Sequence, residues 1–359
     1  MGMRTIIPFG PQHPVLPEPI HLDLVLEDEK VIEAIPRIGF IHRGLEKLVE
    51  KKDYQEFVYV AERICGICAF IHGLTYSLAA EKLMNIEAPR RAQFLRVIWS
   101  EIARLQSHLL WMGLMADAFG FESLFMHSWR IREKILNIIE ETTGGRVIFS
   151  SCKVGGVRYD IDNDTLKRIV RDLKEYEKEM RAVGDVFLKD SSVRHRLCGV
   201  GVLSKEEAYR LGAVGPMLRA SNFAQDLRQT GYCVYGELDF APVVHPDGDA
   251  YARCAVRIGE LYQSISLIAQ AVDKIEEGPI DVKLRGFPTG ECFVRTEQPR
   301  GEVIYYAKAN GTKFLERLRV RTPTFANIPA LLKCLPGCEL ADVPVLVLTV
   351  DPCISCTER

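Results

Sequence analysis

Apolar and polar residues alternate near the start of the chain and again near its end. Residues 20–26 and 31–35, joined by a polar tip, predict a β-hairpin, because a period of two places one face of each strand on a core. Several prolines between positions 8 and 19 predict a stiff, extended segment ahead of it. Near the C-terminus, Asn310 and Gly311 between two strand-forming runs predict a second hairpin.

Helical periodicity dominates the middle of the chain, over residues 66–140 with breaks near Pro89 and Gly120. Within residues 91–115, apolar side chains recur every three or four positions, which predicts a long amphipathic helix. Its other side carries a polar, partly basic stripe. The stripe consists of Arg96, Ser100, Arg104, Ser107 and His108. Residues 121–140 predict a second helix of the same kind.

The elements outside this centre complete the predicted fold class. The strongly charged residues 160–182 predict a surface helix, residues 250–276 predict another helix, and the valine-rich residues 343–350 predict a buried strand or extended run. The whole pattern predicts an α+β fold that is mainly α. A central bundle of long helices is joined by small β elements from both chain ends.

Composition excludes several classes of protein. The 46 lysines and arginines against 48 acidic residues give a net charge of -2, so no basic surplus indicates a nucleic-acid partner. The longest apolar run, residues 109–121, is interrupted by Asp117 and is shorter than the ~20 residues that span a bilayer. The first residues lack the apolar core of a secretory signal. Any membrane association is therefore expected to depend on partner subunits.

Four of the 11 cysteines form two C-x-x-C motifs, Cys65 with Cys68 and Cys353 with Cys356. A two-residue gap lets both sulfurs of a motif reach one metal ion. If the two motifs share a metal site, the chain is a single folded unit over residues 1–359. Its N-terminal segment 1–40 and C-terminal segment 300–359 would then meet at that site.

The ligand type alone does not determine which metal the four cysteines would bind. Four thiolates suit zinc, an iron–sulfur cluster or nickel, and a pair of buried cysteines at a helix start is a further alternative. Structural zinc usually joins pairs that are about 15–20 residues apart. Here most of the chain separates the two motifs, which disfavours a structural zinc site.

The flanking residues carry a resemblance to a known family. Residues 63–68 (RICGIC) with His72, together with residues 351–356 (DPCISC), resemble the two nickel-binding motifs of the [NiFe] hydrogenase large subunit. Further segments resemble the form shared with the quinone-site subunit of respiratory complex I. They are residues 10–14, 42–46, 89–93, 107–111 and 298–302. The chain thus resembles the energy-converting, membrane-associated [NiFe] hydrogenases, the Ech-type and CO-linked enzymes, which interconvert H2 with protons and electrons.

The resemblance implies a cofactor and its ligands. Cys65 and Cys353 would be terminal thiolates on nickel, and Cys68 and Cys356 would bridge nickel to an iron that carries CO and cyanide. This is the NiFe(CO)(CN)2 centre of the family. By the same resemblance, Cys353 is the thiolate that accepts a proton from H2.

Four further residues receive roles from the resemblance. Glu18 would relay the proton, Arg300 would overhang the metals, and Asp351 would hold Arg300 by a charge-assisted pair. Glu46 matches a carboxylate that helps to bind a second metal, magnesium or iron, in many relatives. The sequence ends in Arg359 where those relatives supply a histidine, so an Arg359–Glu46 ion pair is expected to replace the second metal.

The remaining cysteines form no iron–sulfur motif, so electrons require a partner. The resemblance supplies the iron–sulfur small subunit of the hydrogenase, ferredoxin as redox partner and hydrophobic ion-pumping membrane subunits. It implies a peripheral position on the cytoplasmic side of the cell membrane. Two alternatives remain: a complex-I-like quinone-docking and coupling module without metal catalysis, and a zinc-stapled structural subunit. Complex-I-type chains lack the four cysteines, which disfavours the first.

Overall fold

The computed structural model describes residues 4–359, and an antiparallel sheet lies at their N-terminal end. Its strands are β1 (Arg4–Phe9), β2 (His21–Glu27) and β3 (Lys30–Arg37), in the order β1-β2-β3. Leu22, Leu24 and Leu26 alternate along β2 and are buried, as period two requires. The first predicted hairpin is therefore confirmed, and the structure adds β1 as a third strand.

Helices make up most of the remaining structure, so the predicted α+β, mainly α class is confirmed. They are α1 (Phe57–Glu62), α2 (Ala69–Met84), α3 (Arg90–Ala118), α4 (Glu122–Thr143), α5 (Asn163–Lys189), α6 (Ser191–Leu197), α7 (Lys205–Arg210), α8 (Pro216–Arg219), α9 (Ala250–Lys274), α10 (Pro323–Cys334), α11 (Val343–Val350) and α12 (Ile354–Thr357). Across residues 4–359, no helix is long and apolar enough to cross a membrane.

Helix α3 is the centre of the bundle, packed against α4, α9 and α11. Trp99 and Trp111 are fully buried on it, and so is the polar stripe that the sequence placed on its other side. Burial of a charged side chain requires a partner, and the structure supplies one: Arg96 donates to both carboxylate oxygens of Glu81. The amphipathic pattern therefore marks two buried faces, one apolar and one ionic.

A second antiparallel sheet lies near the C-terminus. Its strands are β6 (Thr289–Gln298), β7 (Gly301–Asn310) and β8 (Leu315–Arg321), and β6 and β7 pack on α2. The hairpin predicted around Asn310 and Gly311 is confirmed as β7–β8. A two-stranded piece, β4 (Cys152–Lys153) and β5 (Gly156–Val157), completes the β structure of residues 4–359.

The strand predicted for residues 343–350 is wrong, because these residues form helix α11. Pro344 lies in its first turn, where the missing N–H costs no hydrogen bond. The helix packs among α3, α9 and α10 and is buried on all sides, so tertiary packing outweighs the β preference of its valines. Asp351 ends it with φ +58°.

Candidate metal centre

The four motif cysteines lie together in the interior although they come from opposite ends of the chain. Cys65 lies between α1 and α2, Cys68 immediately precedes α2, and Cys353 and Cys356 lie at α12. The sulfur atoms of Cys65 and Cys353 are 3.3 Å apart, and those of Cys68 and Cys356 are 3.6 Å apart. Each of the four is 1% exposed. The structure therefore assembles the constellation that the sequence predicts.

Each motif presents its first sulfur to backbone amides of the same turn. The amides of Ile67 and Cys68 donate to the Cys65 sulfur at 3.3 Å, and the amide of Cys356 donates to the Cys353 sulfur at 3.4 Å. Hydrogen bonds to the charged form favour a thiolate. The C-x-x-C spacing thus orients both sulfurs toward the shared interior space.

Four thiols this close cannot all ionise without a cation. Burial raises the pKa values of Cys68 and Cys356 well above the ordinary range. The pKa of Cys65 lies well below it: burial opposes ionisation there, but the other three thiols donate hydrogen bonds to its sulfur. Converging soft sulfur donors that need positive charge fit a thiophilic metal. Within residues 4–359, Cys65, Cys68 and Cys356 are the only cluster of three or more candidate ligand residues.

Glu18 lies at this site although its proline-rich segment resembles a solvated loop. Its carboxylate accepts the amides of Ile354 and Ser355, the two residues that follow Cys353. The side chain is partly buried, and burial raises its pKa above the ordinary value, although Arg300 acts in the opposite direction. The Glu18 carboxyl group has a raised pKa and lies beside the Cys353 segment, and both properties suit a proton relay.

Arg300 and Asp351 form a buried pair beside the cysteines. Arg300, in the turn between β6 and β7, donates from Nε to the Asp351 carbonyl oxygen at 2.6 Å and from Nη2 to its carboxylate at 2.9 Å. Burial raises the pKa of Asp351 above its ordinary value, although Arg300 opposes this. The Nη1 atom of Arg300 is buried and has no protein partner within residues 4–359, so it offers a free donor to the site.

Sequence reasoning gave His72 no function, but the structure places it on a cysteine. Its Nε2 lies 3.4 Å from the Cys356 sulfur, and its Nδ1 lies 2.8 Å from the Tyr305 hydroxyl. Burial lowers the pKa of His72 to about 4, so the ring is neutral at physiological pH. The spacing is the sequence signal for this position. His72 follows Cys68 by four residues, about one helical turn, so both lie on the same side of the start of α2.

The residues around Glu46 do not fit a second metal. Both carboxylate oxygens are engaged: Arg359 donates to one at 3.1 Å, Arg319 to the other at 2.8 Å, and the Val320 amide donates as well at 2.8 Å. Although burial opposes them, these donors keep the pKa of Glu46 below its ordinary value. The Arg359–Glu46 ion pair expected from the sequence is present, and the Arg359 guanidinium supplies positive charge where a metal ion would otherwise be needed.

This ion pair gives a first testable prediction. Arg359→Gln should lower the free energy of unfolding by about 1 kcal/mol at pH 7, because a charge-assisted contact to a partly buried carboxylate is lost. The loss should shrink as pH falls below the ordinary glutamate pKa of about 4.3, since a depressed folded pKa stabilises only above that value. Denaturant unfolding at pH 7 and pH 3 measures both effects.

The control for this prediction is Arg317→Gln, an exposed arginine on β8. It should leave unfolding unchanged at either pH. A chelator should leave the difference in unfolding free energy between the wild type and Arg359→Gln unchanged. A chelator that alters this difference would contradict the ion-pair assignment.

Comparisons with known proteins divide the chain between two related families. Residues 43–116 match the family described as nickel-dependent hydrogenase. Residues 118–287 and 282–359 match the family described as respiratory-chain NADH dehydrogenase, 49 Kd subunit. The chain therefore combines a hydrogenase-type segment around its first cysteine motif with a complex-I-type segment over residues 118–359.

Individual relatives come from both groups, the hydrogenases and the NADH-quinone oxidoreductases. The chain is 39% identical to the membrane-bound hydrogenase subunit alpha of Pyrococcus furiosus, over 98% of this chain and 87% of that protein. It is 38% identical to the carbon monoxide-induced hydrogenase of Rhodospirillum rubrum, over 98% and 99%. It is also 34% identical to an NADH-quinone oxidoreductase subunit of Chloroherpeton thalassium, over 98% and 87%.

The fold agrees with these relationships. A chain in the solved structure of the membrane-bound sulfane sulfur reductase, an archaeal respiratory membrane complex, superposes with a TM-score of 0.94 at 32% identity, covering 99% of this chain and 98% of that one. The chain therefore belongs to the family shared by the large subunits of energy-converting, membrane-associated nickel-dependent hydrogenases and the 49 Kd-type subunit of respiratory-chain NADH dehydrogenase.

Proposed function

We propose that this chain is the catalytic subunit of a [NiFe] hydrogenase and interconverts H2 with protons and electrons. The observation that carries the proposal is the convergence of four buried cysteines, whose sulfurs cannot all ionise without metal. Cys65, Cys68, Cys353 and Cys356 would hold a centre of nickel and an iron that carries CO and cyanide. When bound, this centre supplies the position at which H2 binds and is split.

The chain's own residues would carry the proton away. The Cys353 sulfur accepts the proton, and Glu18 is the acceptor next in line, because its carboxylate contacts the two amides that follow Cys353. Its raised pKa lets it take up and release a proton nearer to neutrality. The segment around Glu18 is partly exposed, so the proton leaves toward solvent on that side.

Arg300 and His72 would shape the charge around the cysteines. The Arg300 guanidinium, oriented by Asp351, places a fixed positive charge and a free N–H beside the thiolates. With Cys356 held as a thiolate, neutral His72 would donate from Nε2 to its sulfur and accept the Tyr305 O–H at Nδ1. Arg300 stays charged and His72 stays neutral, so both groups favour the ionised sulfurs without exchanging a proton themselves.

Electrons would leave through partner subunits. The other cysteines form no ligand cluster among residues 4–359, so an iron–sulfur small subunit is required to pass electrons to ferredoxin. A relative named as a membrane-bound hydrogenase and the match to a respiratory membrane complex support membrane subunits as further partners, and we propose that these are hydrophobic and pump ions. These would hold the chain peripherally at the cytoplasmic face of the membrane.

Metal analysis and infrared spectroscopy of the purified complex test the proposal. We expect one nickel and one iron per chain, with bands from iron-bound CO and cyanide. The chain's similarity to an NADH-quinone oxidoreductase subunit supports a second candidate function, a coupling module without metal catalysis. Active complex that lacks nickel and these bands would overturn the hydrogenase proposal in favour of that module, and stoichiometric zinc would favour a structural subunit.

A further inference from the structure

Seven charged side chains form a second buried group, apart from the four cysteines. They come from α3, α8, α9, β6 and the loop between α8 and α9, and none is more than 3% exposed. We call them the buried ion cluster. Its members are Glu101, Arg104, Arg219, Asp226, Arg228, Glu260 and Glu297.

The cluster has one carboxylate more than it has guanidiniums. If every group is ionised, four negative charges face three positive ones, and a net charge remains in a region from which water is excluded. An uncompensated charge there is strongly unfavourable. One proton, either on a carboxylate or on His108, whose Nε2 lies 2.9 Å from the Glu260 carboxylate, makes the charges of the seven groups equal. The buried Arg257 also interacts with Glu260, but its strongest charge interaction is with Asp351.

Three of the four carboxylates are well supplied with donors. Glu260 accepts two N–H groups of Arg219 at 3.0 and 2.7 Å. Asp226 accepts Arg228 at both of its oxygens, with a shortest contact of 2.7 Å.

Glu101 is even better supplied. Its carboxylate accepts from Arg228 at 3.1 Å, Arg104 at 3.3 Å, the Ser264 hydroxyl at 2.7 Å and the Tyr235 hydroxyl at 2.5 Å. These donor sets stabilise the ionised forms.

Glu297 has the poorest donor set of the four. One oxygen accepts a single N–H of Arg219, at 2.9 Å, from a guanidinium that also serves Glu260. The other accepts the Leu227 amide at 3.1 Å. Of the four carboxylates, Glu297 is thus the least stabilised as an anion.

The groups on the remaining sides of Glu297 do not compensate its charge. Glu302 lies opposite it on β7, with Arg295 and Arg321 at 3.6 and 3.4 Å. The Tyr232 hydroxyl accepts the backbone amide of Glu297. Arg257, on α9, donates two hydrogen bonds to backbone carbonyls, those of Arg253 and Val350.

The expected pKa values point the same way. Burial and the like charge of Asp226 raise the pKa of Glu297 to about 7. Burial lowers the pKa of His108 to about 4, which leaves its ring neutral.

Glu297 and Arg300 are close along the chain, and polar groups without a partner lie at Gln298 and on α3. Gln298 and Pro299 separate Glu297 from Arg300 along the chain. Both amide atoms of Gln298 and the hydroxyl of Ser107 are buried without a protein partner in residues 4–359. Buried polar groups of this kind bind water or transfer hydrogen bonds.

We propose that Glu297 is an exchangeable proton-binding site, which holds the one proton that the buried ion cluster needs to be neutral. On release, the carboxyl O–H bond breaks, the electron pair stays on the oxygen and the proton goes to solvent. The chain thereby has a second protonatable carboxyl group besides Glu18, three residues before Arg300 along the chain. This inference goes beyond the hydrogenase proposal and does not depend on bound metal.

Two isosteric variants of the full chain test the site. At pH 5, Glu297→Gln should be destabilised far less than Glu260→Gln, because a neutral amide replaces a neutral acid and only one of the two N–H contacts, from Arg219 or Leu227, is lost. Glu260→Gln removes a needed anion and should raise the unfolding equilibrium constant by roughly 10²–10³-fold. If the proton resides on His108 instead, the two variants will be equally destabilised, and the proposal is wrong. Failure of Glu297→Gln alone to fold has the same meaning.

The pH dependence has a definite sign. A raised folded pKa stabilises the protein below the unfolded value, and this contribution is lost as pH rises through about 7. Between pH 5 and pH 8, the unfolding constant of the wild type should therefore rise by about a hundredfold relative to that of Glu297→Gln. A constant ratio would contradict the site.

Infrared difference spectroscopy gives a readout independent of stability. Wild type minus Glu297→Gln should show a protonated carboxyl band at pH 5 that shifts in D2O and disappears at pH 9. Glu62→Gln is the matched control, because Glu62 is also buried with a pKa raised to about 7. It should remove a different band and leave that of Glu297. Absence of the Glu297 band at pH 5 would overturn the proposal.

Discussion

Glu18→Gln should reduce H2 turnover by about 10²–10⁴-fold while the nickel and iron content stays complete. Glutamine has nearly the same size and can still accept the amide of Ile354, so the loop should keep its place. It cannot exchange a proton, which is the only property removed. Turnover assays, with metal analysis of the same samples, measure the effect.

The matched control for this variant is Glu33→Gln. Glu33 is exposed on β3, in the same N-terminal part of the chain, and its replacement should leave turnover unchanged. H2/D2 binding detected by infrared bands should survive in Glu18→Gln. Near wild-type turnover with full metal loading would show that the proton leaves by another route.

Cys353→Ser should abolish nickel binding, and with it all H2 chemistry. A hydroxyl is a poor ligand for a soft metal, and the site loses one of the two sulfurs that are 3.3 Å apart. Nickel per chain, measured on purified complex, should fall to background. This effect differs in kind from that of Glu18→Gln, where metal stays and turnover is lost.

Cys254→Ser separates ligand loss from the general cost of replacing a buried cysteine. Cys254 is fully buried on α9, and burial raises its pKa to about 12, so it is a neutral thiol. Its serine variant should keep full nickel content even if it is somewhat less stable. Retention of nickel in Cys353→Ser, or its loss in Cys254→Ser, would contradict the assigned ligands.

The sequence predicts those elements whose pattern is local. The hairpin that includes β2, the turn at Asn310 and the long helices α3 and α4 all follow from periodicity and turn chemistry over short windows. For α11 the sequence predicts the wrong state, because its valines favour a strand while its helical form depends on three neighbouring helices.

The residues of the candidate site also differ in whether a local sequence pattern identifies them. The cysteines were identified because their spacing and flanking residues form a motif, and Glu18 because its segment matches a family position. The spacing of His72 from Cys68 is visible in the sequence, but its contact with Cys356, far along the chain, is visible only in the structure. The role of Glu297 likewise depends on counting charges that five separate elements bring together.

The distance along the chain between the two cysteine motifs has a consequence for biosynthesis. At about 5–20 residues per second, a ribosome needs tens of seconds to proceed from Cys68 to Cys353. During that interval the first pair of thiols exists without its partners and is open to any thiophilic ion in the cell. In the finished protein all four sulfurs are enclosed. If the site holds nickel as proposed, we expect discrimination between nickel and its competitors to act on the nascent or newly released chain, before helix α12 closes over the site.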